Sequence, residues 1–162
     1  MNVAYAAIGR AVLEAQVLET ALIPIFEFFK MQTEPGYLEK TGGFVSAGAF
    51  KVPVKNVIKY LSERGSIAPD LEARLTQYVE SRRLLIHRWV QLHGWPDESD
   101  ARAFEPVIAL ASSVEREAHE LTTQFAGYMV KYASPEWAAG DELAYAQKMS
   151  ELFHRAHLEG KQ

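Results

Sequence analysis

Residues 69–96 read PDLEARLTQYVESRRLLIHRWVQLHGWP, and their spacing decides the fold class. Pro69 suits a first helical turn, where a missing backbone N–H costs nothing. Asp70 and Glu72 complement the positive end of the helix dipole, and Gly94 with Pro96 stops the helix. Between these signals Leu71, Leu75, Tyr78, Arg82, Leu85, Trp89 and Leu92 step by four and three, the pattern of one apolar helix face. The same stepping recurs on either side. A first helix is expected over residues 2–29, with Ile8, Val12, Ala15, Leu22, Phe26 and Phe29 on one side and Pro24 kinking or breaking it. Met31 to Pro53 is dense in Pro and Gly and reads as a long loop or short turns, and Val54 to Arg64 as a short helix. A fourth helix, Ala103 to Ala133, carries Val107, Ala111, Val114, Ala118, Leu121, Phe125, Tyr128 and Tyr132. Ser134-Pro135-Glu136 opens a last turn, and a final helix is expected from Asp141 to Leu158. Without an alternating strand, a repeat or a linker, the sequence predicts an all-α, mostly antiparallel bundle of four to six helices, one domain over residues 1–162.

Composition narrows the class further. With 48% hydrophobic and 23% charged residues, the 162-residue chain is neither disordered nor fibrous. The absence of cysteine excludes disulfides, thiolate catalysis and Cys-based zinc sites, and suits a cytoplasmic protein. Glu14, Glu19 and Glu27 interrupt the longest apolar stretch, and the N-terminus lacks the pattern of a secretion signal, so no membrane partner is expected. Charge is segregated within the net of -4: residues 51–94 hold eight basic side chains against four acidic ones. A protein that coats nucleic acid over its whole surface is excluded; a local anion-binding face is not.

Helical phase singles out two charges. With Leu71 at zero, Arg82 falls at about 20°, between Trp89 and Leu75 on the core stripe. With Ile8 at zero, Glu19 also falls at about 20° on the first helix. Opposite charges at the centres of two core stripes predict a structural ion pair between Glu19 and Arg82, since an unpaired buried charge is costly. The pair would fix helix register, or would orient Arg82 so that part of its fork still reaches an anion.

The one grouping with evident chemistry is Arg82-Arg83-Leu84-Leu85-Ile86-His87. Arg83 and His87 are neighbours at i, i+4 spacing, an imidazole beside a guanidinium. Such a pair suits cleavage of RNA. The neutral imidazole takes the proton of a 2′-hydroxyl, whose oxygen attacks the adjacent phosphorus, and arginines bind the non-bridging oxygens as their charge grows. DNA lacks that hydroxyl and is spared. No metal or other cofactor is required by this scheme.

The segment Glu80-Ser81-Arg82-Arg83-Leu84-Leu85-Ile86-His87-Arg88-Trp89 resembles the mark of the HEPN superfamily (higher eukaryotes and prokaryotes nucleotide-binding domains). In these small helical bundles an arginine, usually followed by a polar residue, precedes a histidine by four to six intervening residues. Arg82 and His87 match the two anchors, Arg83 stands where asparagine is common, and Glu19 is similar to a glutamate in the first helix of many such bundles. The resemblance implies a metal-independent endoribonuclease with His87, Arg82 and Arg83 catalytic. It also implies a homodimer with two motifs lining one cleft, a toxin–antitoxin or phage-defence setting, and an antitoxin-like protein partner.

Arg88, Lys59, His93 and Trp95 complete the expected RNA contacts, Trp95 as a base-stacking platform in the turn beyond the basic helix. His93, inside the apolar stripe near the helix end, reads first as a core or capping residue that could also assist an RNA site. His154, His157 and Glu151 have the spacing of a weak metal site, but no physiological metal is expected there. Glu115 and His119 lack the Glu-x-x-His spacing of di-iron bundles, and no glycine-rich phosphate loop or nucleophile elbow is present. The competing reading is a non-catalytic helical-bundle module for interaction or regulation.

Overall fold

The computed structural model describes residues 2–46, 48–64 and 67–133, and the expected final helix, with His154 and His157, lies outside them. The fold is all-α, a helical bundle, with no strand among the described residues. Its helices are α1 (Asn2–Thr33), α2 (Tyr37–Thr41), α3 (Val54–Glu63), α4 (Pro69–Arg83), α5 (Trp89–His93) and α6 (Glu105–Ala133). A π-helical turn, Leu84–Arg88, joins α4 to α5, and 3-10 turns cover Ala49–Lys51 and Ala101–Phe104.

The chain divides into two compact units, and α1 and α6 each contribute to both. The first unit comprises residues 1–16 and 53–119. Its core is built from Ala4, Ala7, Ala11 and Ala15 of α1, Val57 and Ile58 of α3, Leu71, Leu75 and Tyr78 of α4, and Val107, Ala111, Val114 and Ala118 of α6. Within it Arg10 Nε donates to Glu115 Oε1 at 3.0 Å, and His119 Nδ1 lies 3.7 Å from Glu14 Oε2. Residue numbers rise together across these two contacts, so α1 and α6 run parallel there. The Glu115 and His119 side chains therefore engage α1. α3 packs along α4, and their close separation in sequence makes them antiparallel.

The second unit takes residues 17–52 and the chain from Glu120 onward. Leu18, Leu22, Ile23, Phe26, Leu121, Thr122 and Phe125 are buried in it. A polar knot ties α2 to α1. Tyr37 donates its hydroxyl hydrogen to Glu27 Oε2 at 2.6 Å, and Lys30 Nζ donates to Tyr37 Oη at 2.7 Å. Lys30 also pairs with Glu27 Oε1 at 2.5 Å and lies over the Phe26 and Tyr37 rings. Burial disfavours the Lys30 ammonium, but its bonds to Glu27 and Tyr37 outweigh that and hold its pKa above the ordinary lysine value.

Several expectations are corrected. α1 continues through Pro24 to Thr33 without a break. Proline removes one hydrogen bond, whereas Leu22, Ile23 and Phe26 around it are all buried, and that packing holds the helix. The core stripe of α1 follows its alanines, about 60° from the Ile8–Val12 line, which leaves Ile8 and Val12 half-buried. Glu19 consequently sits on the flank of the stripe and is half-buried. The Met31–Pro53 segment contains α2 and a 3-10 turn. Helix α6 starts at Glu105, after a 3-10 turn whose Asp100 carboxylate accepts from the Arg102 N–H at 2.9 Å. Its seam from Val107 to Phe125 is buried as expected.

Candidate functional site on helix α4 and the π turn

Helix α4 begins as its sequence requires, with Pro69 in the first turn, Asp70 and Glu72 beside the helix N-terminus, and Leu71, Leu75 and Tyr78 buried. The expected single helix to Gly94 is interrupted by the π turn, which lies between the two anchors of the motif. Leu85 is its buried residue, and Arg88 absorbs the irregularity with φ -125 and ψ -11. An i→i+5 turn advances about 80° per residue instead of about 100°. Arg82 and His87, about 140° apart on an ideal α-helix, are brought to about 80°. Over the whole turn the lag amounts to roughly one residue.

The motif residues occupy distinct environments. Arg82 is half-buried, with its Nε inside the protein. Arg83, His87 and Arg88 are exposed. Arg83 Nη1 lies 3.9 Å from Glu80 Oε1, but both side chains are more than half exposed, so water competes for the pair. The backbone thus presents one sheltered guanidinium, two solvated ones and an accessible imidazole along a single stretch of helix. Glu19 belongs to the second unit and Arg82 to the first.

Beyond the turn the expected seam fails. Leu92 is 56% exposed, because the lag turns it away from the core line it would follow on an uninterrupted α-helix. His93, a candidate for the core or for capping, is exposed at the end of α5, its ring 4.3 Å from that of Trp89. Gly94, at φ 72, ends the helix. Trp95 follows, partly exposed and stacked on Tyr5 with ring centroids 5.8 Å apart, while buried Phe104 meets it edge-on. The loop beyond is fixed by Ser99, whose N–H and hydroxyl both donate to Asp97 Oδ1; these bonds hold the Asp97 carboxyl below its ordinary pKa.

Lys59 lies on α3, exposed and 3.7 Å from Glu63. With Lys55 it lines a groove between α3 and α4. On another flank of α4 a hollow of about 280 Å³ is bordered by Arg74, Gln77 and Ser81, where Arg74 is hydrogen-bonded to Glu117 of α6. Sequence reasoning passed over Lys55, Tyr5 and the π turn. The i, i+4 spacing of Lys55 and Lys59 is a legible signal. Nothing in the sequence pairs Tyr5 with Trp95.

Among the described residues no cluster of three or more His, Asp or Glu side chains is arranged to hold a metal ion, and no helix is long and apolar enough to cross a membrane. The chain matches no family model, no curated protein and no solved structure.

Proposed function

We propose that the chain is a metal-independent endoribonuclease of HEPN type, with His87 as general base and Arg82 and Arg83 as phosphate binders. The observation that carries this reading is the π turn between Arg82 and His87, with His87 exposed and Arg82 half-buried. π-Helical turns inside α-helices occur often at functional sites, and this one reduces the angle between the two anchors. His87 removes the 2′-hydroxyl proton of a bound ribose. The 2′-oxygen then bonds to the adjacent phosphorus as the bond to the departing 5′-oxygen breaks, and water returns a proton to that oxygen. The guanidiniums offset the charge on the non-bridging oxygens. The products are a 2′,3′-cyclic phosphate and a 5′-hydroxyl. Arg88, His93 and Lys59 bind flanking phosphates, and the Tyr5–Trp95 pair supplies an aromatic surface for a base. A homodimer bringing two motifs to one cleft, and an antitoxin-like partner that restrains the activity in the cytoplasm, belong to the same proposal.

Incubation with labelled RNA in excess chelator tests it: fragments ending in cyclic phosphate are expected. His87→Ala should abolish cleavage while changing stability by less than about 1 kcal/mol, as for an exposed side chain. Cleavage that survives this substitution removes the mechanism. A second reading, a non-catalytic interaction module, draws on the exposed apolar Val90 and Leu92 of α5, and is favoured if no RNA is cut.

A further inference from the structure

We infer that the groove between α3 and α4 guides the backbone of single-stranded RNA to His87, with Lys55 and Lys59 holding phosphates beside the scissile one. This rests on the ribonuclease reading and adds the path of the substrate to it. The groove has a volume of about 340 Å³; Lys55, Lys59 and Glu63 stand on one wall, and Glu72, Thr76 and Glu80 on the other. With Leu71 at zero, the α4 wall centres at about 120°, the same angle as Arg83, and His87 follows on that side whether the intervening residues advance as α or π. The lining ends on α4 at Glu80, and Arg83 follows one turn further along the same side. Since α3 and α4 are antiparallel, Lys55 is at the end nearer Arg83, and Lys59 is one turn further away.

The charges support a path along the lysine rim. Both lysines are exposed, and Lys55 has no hydrogen bond or ion pair among the described residues. Lys59 and Glu63 are 3.7 Å apart with side chains 74% and 59% exposed, a pair worth little in water that a phosphate displaces readily. The two lysines are separated by about 6 Å along the helix axis, comparable to the reach between consecutive phosphates of an extended strand. Glu72 and Glu80 keep phosphates off the opposite wall, so the strand lies with its backbone on α3 and its bases towards α4. There the Thr76 hydroxyl and the Glu72 carboxylate meet base edges, which carry donors.

The test uses the full chain with two substrates: a ten-nucleotide RNA and a dinucleoside monophosphate too short to reach the groove. For the Lys55→Gln, Lys59→Gln double variant, KM for the ten-nucleotide RNA should rise about tenfold at moderate salt. The rise for the short substrate should be at least about fivefold smaller. Binding of the ten-nucleotide RNA in a His87→Ala background should lose about 1.4 from the slope of log affinity against log salt, two phosphate contacts' worth. Equal effects on both substrates, or an unchanged KM and salt slope, overturn the groove and leave the ribonuclease reading standing. A protein that cuts neither substrate but shows the lysine-dependent slope overturns catalysis and supports the groove as an RNA-binding surface. Absence of both overturns both.

Discussion

Lys30 shows what a single residue contributes outside the candidate site. Its ammonium is held by Glu27 and Tyr37, with the Glu27 side chain only 5% exposed. Folding raises the Lys30 pKa, so its contribution is complete below the ordinary lysine value of the unfolded chain and is lost as pH rises through the higher folded value. Denaturant midpoints measured from neutral to strongly alkaline pH should therefore fall for the wild type at the alkaline end, and Lys30→Met should flatten that fall. Tyr37 shares the bonds that hold Lys30, so Tyr37→Phe is the companion: it should lose about 1–3 kcal/mol at neutral pH yet keep a lysine-dependent decline. His87 contrasts with this. It is exposed, which makes it expendable for stability and accessible for chemistry.

At the scale of the element, the π turn decides more than any side chain. An uninterrupted α-helix places Leu92 in the core seam, where Leu→Gln would cost several kcal/mol; the turn exposes it. Leu92→Gln should therefore change stability by no more than about 0.5 kcal/mol, whereas Leu75→Ala, at a site 1% exposed, should cost about 2–5 kcal/mol. A large loss from Leu92→Gln would contradict the turn. Helix α1 offers a second comparison. A Cβ added at exposed Gly9 meets nothing within 4 Å, so Gly9→Ala should raise stability by about 0.5–1 kcal/mol. Ala11 is fully buried two residues on, and Ala11→Leu should lower stability by about 1–3 kcal/mol through overpacking. Thermal melts of the two variants should move in opposite directions.

For the whole molecule, the all-α class, the limits of α3, the start of α4 and the seam of α6 were legible in the sequence, because each depends on nearest-turn spacing and on Pro, Gly and acidic end signals. The anchors Arg82 and His87 were legible as residue types, and so was a basic middle segment in an acidic chain. The buried face of α1 was not. Its alanines carry a weak hydrophobic signal, yet Ala4, Ala7, Ala11 and Ala15 form the buried line because small side chains permit close packing. Nor could spacing reveal the π turn, whose lag is invisible until backbone bonds are assigned. Sequence alone determined that this protein would be helical and where its chemically capable side chains lie along the chain, since helix periodicity and end signals are local properties. Only the tertiary structure decided which faces are buried, that Lys55 and Lys59 border the same groove as α4, and that Tyr5 meets Trp95. Those outcomes depend on packing between segments far apart in the chain, which no local spacing encodes.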